Sequence, residues 1–373
     1  MARYPIVIFL NGDFVNDIFF IRIPFRCRAD HAYFTIIVVK HYNRFGRTGK
    51  EGSKLTANID ETLLQKRFRA IGLDAYRIER REGLFAATLY DVWTDAAGSD
   101  SQRYIYKLPS PERNGEFDVV GKLGAELAPW LPEGIVRFES SPKAIAMRYA
   151  GEPILPPDRA GTVPAAERLA AYELVSERLA ELHLRTAAAA ARWASEGKAA
   201  PYAFSREWAD ALLKEAEGVL DRGVWASLSR IAYDFYAGYS ASAMRGPAVF
   251  THGDPHWGNA LRLGDRVTLI DWEWTNVAAP MRDIAILVQD EPDDEVLSHV
   301  AASHATRLLA NGLSGEYDDV MADFDLMMVD NSIMTLAWDV ALFRRGDIGP
   351  ERLREASERR LARIEAFWNR TRR

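Results

Sequence analysis

The chain has one cysteine, Cys27, in 373 residues, so no internal disulfide can form and none contributes to stability. That usage fits a reducing compartment, and a cytoplasmic location is the expectation. Long apolar runs are scarce as well. The best candidate, Ile6 to Ile23, is interrupted by Asn11, Asp13, Asn16 and Asp17, which leaves it too short and too polar to span a bilayer. Only Arg3 precedes it and no small-residue cleavage site follows, so it does not read as a secretory signal. An excess of positive charge is also missing: the formal net charge of −6 argues against general nucleic-acid binding. Neither a nucleic-acid nor a membrane partner is expected. Metal-ligating clusters are thin. His252 and His256 are four apart, but Pro255 between them excludes a helical zinc pair, and no cysteine joins them. What is present, 48% apolar and 27% charged residues, is the composition of a folded globular protein. At 373 residues the chain is too long for one compact core and suits two lobes.

The densest chemistry lies in His252-Gly253-Asp254-Pro255-His256-Trp257-Gly258-Asn259, followed by Leu269-Ile270-Asp271-Trp272-Glu273. A lone His-Gly-Asp is more often a turn than a site, and an Asp between Ile270 and Trp272 is by itself a polar residue in a half-buried strand. Together they form an ordered set: Asp254, Asn259 five residues on, and Asp271 twelve further. Ala248–Thr251 and Arg266–Ile270 are apolar or β-branched enough to be short strands, and Gly264-Asp265 supplies a turn. A γ-phosphoryl group moving to an alcohol develops charge on its equatorial oxygens, so catalysis is mostly positioning and electrostatic clamping. Magnesium takes hard oxygen ligands and keeps several waters, so one or two protein ligands plus phosphates suffice. Asn259 offers a neutral carbonyl and Asp271 a carboxylate. Asp254 is left to accept a hydrogen bond from an incoming hydroxyl.

The protein-kinase loop H-R-D-L-x-x-x-N has the same Asp-to-Asn interval. Here Gly253 replaces the Arg, Ile-Asp-Trp-Glu stands where Asp-Phe-Gly would be, and no Ala-Pro-Glu segment follows. This combination resembles the aminoglycoside phosphotransferase and choline kinase family. The resemblance implies an α+β, two-lobed, protein-kinase-like fold. Its N-lobe is a small antiparallel sheet with one main helix, and its C-lobe is larger and mostly helical. It implies ATP or GTP as phosphoryl donor, Mg2+ as cofactor, and as partner a small molecule carrying the acceptor hydroxyl: an aminoglycoside, a choline-like amine, a sugar or an amino alcohol. Asp254 would be the catalytic base, Asn259 and Asp271 the metal ligands, His252 a brace for the loop, and Asp283 a support for the metal-binding segment. A catalytically slow nucleotide-binding regulator on the same fold is the alternative. The intact set of Lys107, Asp254, Asn259 and Asp271 favours the enzyme.

The other kinase parts are sought upstream. Arg103 to Leu108 alternates as a strand carrying Lys107, the residue type that meets nucleotide phosphates and a helix-borne Glu. From Gly115 the apolar residues Phe117, Val120, Leu123 and Leu127 recur at helical spacing until Pro129. Glu116 is the preferred partner for Lys107, with Glu126 as the alternative. Tyr76 to Trp93 reads as strand, turn and strand. By resemblance its turn, with Gly83 and Thr88, covers the phosphates, although the family's loop is richer in glycine. Ile135–Phe138 and Ala144–Tyr149 read as the last strands of the lobe, with Met147 and Tyr149 expected, by resemblance, beside the adenine. Ala150–Pro153 breaks the pattern as a hinge should. Lys40 mimics the nucleotide-binding Lys but is rejected, since it lies 67 residues further from the catalytic loop than Lys107. The expected organisation is an extension over 1–58, an N-lobe over 59–149 and a C-lobe over 150–373. The extension's role is open between extra strands, dimerisation and disorder.

Downstream, Ala165 to Thr186 has helical spacing, with His183 as a core or capping residue. Met281–Ala285 opens another helix. The run Gln289 to Glu295 is dense in carboxylates, and Phe324 and Trp338 lie among further Asp residues. Both invite a cationic acceptor, although solvated loops and core packing explain them as well. Pro350 to Arg373 is an amphipathic helix with Leu353, Leu361, Ile364 and Trp368 on one face, many Arg opposite and a basic end that reads as solvated surface.

Overall fold

The computed structural model describes residues 6–9, 18–26, 31–39, 60–81, 88–95, 101–109, 115–155, 162–198, 202–204, 206–239 and 244–372. Lys40 and Gly83 lie outside them. The chain forms two compact units, Met1–Lys54 and Leu55–Arg373. In the first, β1 (Ile6–Phe9), β2 (Ile18–Arg26) and β3 (His31–Val39) form a sheet. Its order is β1-β3-β2, with β1 parallel and β2 antiparallel to β3.

The second unit begins with α1 (Glu61–Ala70), capped by Asp60, whose carboxylate accepts from Thr62 N at 3.0 Å. Then come β4 (Asp74–Arg81), β5 (Thr88–Asp95), β6 (Gln102–Leu108), α2 (Gly115–Leu127), β7 (Val136–Phe138) and β8 (Ala144–Arg148). The strands make an antiparallel sheet in the order β4-β5-β6-β8-β7. Alternation along β6 sorts its side chains. Tyr104, Tyr106 and Leu108 are buried with Leu64 and Phe68 of α1, the Phe68 and Tyr104 rings meeting edge-on at 5.6 Å. Arg103, Ile105 and Lys107 alternate with them along the strand, and Ile105, Ile145 and Met147 join the core that contains α2 and the helical body. Arg67 of α1 is buried because its guanidinium reaches Tyr106 Oη and the carbonyls of Ser140 and Pro142, both at 2.7 Å.

The helical body comprises α3 (Ala165–Ser195), α4 (Arg206–Ala216), α5 (Arg222–Gly238), α6 (Met281–Leu287), α7 (Asp294–Ala310), α8 (Tyr317–Arg345) and α9 (Pro350–Thr371). Its short strands are β9 (Glu152–Pro153), β10 (Val249–Thr251), β11 (Ala260–Leu263), β12 (Arg266–Leu269) and β13 (Asn276–Ala278). β11 pairs with both β12 and β9, and β10 with β13. Gly151, next to β9, has φ 104°, and a Cβ there would lie 1.9 Å from Arg262 O of β11. Only glycine lets the chain pass that close. α8 is long and apolar enough to cross a membrane, but 61% of its apolar stretch is buried inside the protein, against α6, α7 and α9.

The carboxylates that invited a cationic acceptor are mostly engaged within the fold. Glu291 receives a two-pronged bond from Arg168, at 2.7 and 2.9 Å. Asp290 and Asp339 share Arg360, at 2.9 and 2.5 Å. Asp293 caps α7, and Asp323 accepts from Arg245 N and Gly246 N. Phe324 is core, packed on Phe367. The basic end of α9 is solvated, with Arg370 and Arg372 exposed, whereas two arginines further back are engaged. Arg360 is 6% exposed, and Arg363 donates to Gln289 O and Glu291 O, tying α9 to the segment before α7.

Candidate active site

Asp254 lies in the loop between β10 and a 3-10 turn at Trp257–Asn259, and the backbone of that loop is fixed from below. Gly253 has φ 88°, and a Cβ on it would meet Trp274 O at 2.1 Å, so the turn before Asp254 requires glycine. Asp283 of α6 accepts from His252 N and Gly253 N at 2.8 Å each, and shares a 2.9 Å bond with His183 Nε2 of α3. Burial alone would raise its pKa, but the bond to His183 and the charges around it hold it below the usual carboxylate range. The His252 ring is enclosed. Its Nδ1 accepts from Asp254 N at 3.2 Å, so its Nε2 carries the hydrogen and donates to Ile270 O at 3.0 Å. Burial pushes His252 down to about 4, which keeps it neutral and makes it a brace between the two halves of the site.

The Asp254 carboxylate is held only by long contacts among the described residues. Asn259 Nδ2 is 3.4 Å from Oδ2 and His256 Nε2 is 3.8 Å away. About a third of the side chain (32%) reaches solvent. Its surroundings are otherwise enclosed, and burial raises its pKa against the opposing pull of His256. Asn259 commits Nδ2 to Asp254 O at 2.9 Å, which leaves the carbonyl oxygen as its side-chain acceptor. Ile270 N bonds Asn259 O at 2.9 Å, bringing the second acidic segment beside the first.

Asp271 follows β12 with φ 67° and ψ 61°, the only positive-φ residue other than glycine among the described residues. Its Oδ1 is 2.8 Å from Lys107 Nζ, and Lys107 is 2.7 Å from Glu116 Oε2. Glu116 Oε1 accepts from Asp271 N at 3.1 Å and Trp272 N at 3.3 Å. One carboxylate of α2 therefore serves both the lysine of β6 and the backbone of the acidic turn. Burial of Lys107 would lower its pKa, but Glu116 and Asp271 outweigh it and the net shift is upward, so the lysine stays charged. Glu126 is elsewhere, accepting from Trp193 Nε1 at 3.2 Å. The approach is tight at Gly115, where a Cβ would lie 3.0 Å from Glu273 Cβ.

Thr88 opens β5, paired with Leu108. Met147 of β8 is buried in the core shared with α2 and the helical body, paired with Ile105. Tyr149 N donates to Arg103 O at 2.8 Å, carrying the pairing of β8 with β6 one residue further. Arg282, which the sequence reading passed over, is 8% exposed, stacks 4.5 Å from the Tyr202 ring and lies against the Gly253 turn. Its place directly before Asp283 was the one available signal. Tyr202 and Tyr236 both donate to buried Asp330, the latter at 2.6 Å.

A strand-borne lysine paired with a helix glutamate, above a loop carrying Asp and Asn and a second Asp, is the constellation of a protein-kinase-like phosphotransferase. The model of the phosphotransferase enzyme family matches residues 77–314, more than half of the chain, and the protein belongs to that family. Solved structures agree on the fold. Choline kinase from Cryptosporidium parvum superposes with a TM-score of 0.54 at 12% identity, over 84% of this chain and 96% of that one. A choline/ethanolamine kinase family protein from Mesorhizobium loti gives 0.50 at 18% identity, over 78% and 88%. Spectinomycin phosphotransferase, solved with ADP and spectinomycin, gives 0.52 at 12% identity, over 83% and 99%. No curated protein matches the sequence. The protein is a small-molecule kinase that phosphorylates a hydroxyl group.

Proposed function

We propose that the protein transfers the γ-phosphoryl group of ATP or GTP to a hydroxyl of a sugar, amino alcohol, choline-like amine or aminoglycoside. Asp254 serves as the base that accepts the hydroxyl proton. The observation that carries this reading is the contrast between carboxylates: Asp254 is oriented through its backbone and its carboxylate has only long contacts, with Asn259 Nδ2 at 3.4 Å and His256 Nε2 at 3.8 Å, whereas Asp271 and Glu116 are bound tightly to Lys107. The oxygen donors fit magnesium. No group of three or more His, Cys, Asp or Glu residues placed to hold a metal ion occurs among the described residues, and the Asn259 carbonyl with the Asp271 carboxylate is the small donor set that leaves room for phosphates and water. Bound there, Mg2+ would neutralise phosphate charge. Lys107 would hold phosphate oxygens from above, with Glu116 keeping its ammonium in place. Asp254, with its raised pKa, is the better proton acceptor of the carboxylates for a hydroxyl placed against it.

The test is Asp254→Asn, which keeps the shape and removes the proton-accepting charge. The expected result is a fall in kcat of about 10²–10⁴-fold, shared by kcat/KM, with nucleotide affinity little changed. A thermal-shift screen of nucleotides, aminoglycosides, choline, sugars and amino alcohols identifies the acceptor first, since ligands of the native state raise the apparent Tm. A variant with wild-type kcat and lost nucleotide binding would transfer Asp254 to the metal or the fold and refute the assignment.

A further inference from the structure

Behind Asp283 the polar contacts do not stop. His183 Nδ1 is 3.2 Å from His304 Nε2, and His304 Nδ1 is 2.9 Å from Ser176 Oγ. Ser176 Oγ in turn accepts from Arg307 Nη1 at 3.0 Å, and Arg307 pairs with Glu173 at 2.7 Å near the surface. α3 contributes Ser176 and His183, seven residues and two turns apart on one face. α7 contributes His304 and Arg307, and α6 contributes Asp283. Asp283, His183, His304 and Ser176 all have 0% exposure. The catalytic-loop geometry described above uses Asp283 and His183 but none of the groups behind them.

We infer that Ser176 and His304 are positioning residues for the catalytic loop, because they fix the His183 tautomer that donates to Asp283. The inference follows from counting hydrogens. Arg307 can only donate, which leaves the Ser176 hydroxyl hydrogen free to go to His304 Nδ1. A neutral His304 then carries its hydrogen on Nε2 and donates to His183 Nδ1. His183 must carry its hydrogen on Nε2, and it donates to Asp283. The carboxylate thereby receives three donors: one ring N–H and the two loop N–H groups of His252 and Gly253. Burial, together with the neighbouring His183 and Arg307, holds His304 well below its ordinary pKa, in keeping with a neutral ring. The opposite direction would place hydrogens on both Nδ1 atoms and make His183 a buried imidazolium beside Asp283.

The kinetic arm rests on the phosphotransfer reading, whereas the spectroscopic arm does not. Nitrogen-15 NMR of the full chain reads the tautomers directly. Both rings should be neutral with hydrogen on Nε2 and a bare Nδ1, and Ser176→Ala should perturb the His304 Nδ1 signal. An imidazolium at His183, or an Nδ1–H on either ring, would overturn the assignment. With MgATP as the probe and ADP release as the readout, His304→Leu should lower kcat about 10–100-fold, the range of second-layer and misplacement effects. The nucleotide KM should move less than about 3-fold in the same assay. His304→Gln, which restores a donor and an acceptor, should recover most of the rate. A group that only fills space would give the reverse order, with Leu tolerated and Gln not, and that result ends the proposal. Absence of MgATP turnover in the wild type would count against the phosphotransfer reading alone, with the tautomers still deciding the chain of donors.

Discussion

Lowering the pH should destabilise this protein through His252, and the structure sets the size of the effect. The ring is fully buried, packed edge-on against Trp272 at 4.5 Å, with both nitrogens occupied by backbone groups. Folding pushes its pKa down from 6.5 to about 4. An unfolded chain takes up this proton as the pH falls below about 6.5, while the folded chain refuses it until about 4. The stabilisation is therefore complete above about 6.5, shrinks through that window, and is gone below it. At 1.36 kcal/mol per pKa unit the full loss is about 3 kcal/mol, of which about 2 kcal/mol has gone by pH 5. His304 acts in the same sense. Asp325, raised to about 6, and Asp330, also raised by burial, act in the opposite sense because the fold favours their protonated forms. The measurement must therefore be a difference. Urea unfolding of the wild type and of His252→Gln, which keeps a donor for Ile270 O, is followed at pH 7.5 and pH 5. The wild type should lose about 2 kcal/mol more than the variant between the two. Parallel losses in the two proteins would refute the buried, neutral brace.

Three further outcomes follow from the same geometry. Asp271→Ala should abolish magnesium-dependent nucleotide turnover in a steady-state assay, and Asn259→Ala should weaken it less, because a neutral ligand is lost in place of a charged one; unchanged turnover in Asp271→Ala would remove it from the metal site. Lys107→Met should raise the nucleotide KM and lower kcat, while Glu116→Gln should lower kcat with a smaller change in KM, since Glu116 acts on phosphate only through Lys107 and the Asp271 backbone. Gly253→Ala places a Cβ against Trp274 O in a left-handed turn. It should cost about 2 kcal/mol and so lower Tm by about 4–8 °C in calorimetry.

The parts legible in the sequence were those whose signal is local. The Asp254–Asn259 loop, the alternating strand of Lys107 and the helix from Gly115 to Leu127 each carry their pattern within a dozen residues. The choice between Glu116 and Glu126 was not local, because it depends on which end of α2 faces β6 and the turn at Asp271. α1 went unread. Its core-facing apolar residues are Leu64 and Phe68, and its third buried side chain is Arg67, whose carbonyl partners lie more than 70 residues away. The acidic run before α7, read as either a pocket or a solvated helix start, was ambiguous for the same reason. Nothing near Asp290 or Glu291 in the chain announces that Arg360 and Arg168 will neutralise them. Likewise, Ser176, His304 and Arg307 are unremarkable residues on two amphipathic helices until the helices are packed face to face.

The conformation of Asp271 sets selection for durability against selection for turnover. A left-handed backbone costs an L-residue about 1–2 kcal/mol, a cost that glycine does not bear. Asp271 holds that conformation with its N–H fastened to Glu116 and its carboxylate against Lys107. Laboratory evolution for heat resistance alone should therefore drift toward glycine or asparagine here and discard the negative charge. Applied together with a growth requirement for the phosphorylated product, the same selection should hold position 271 as Asp and gain its stability elsewhere.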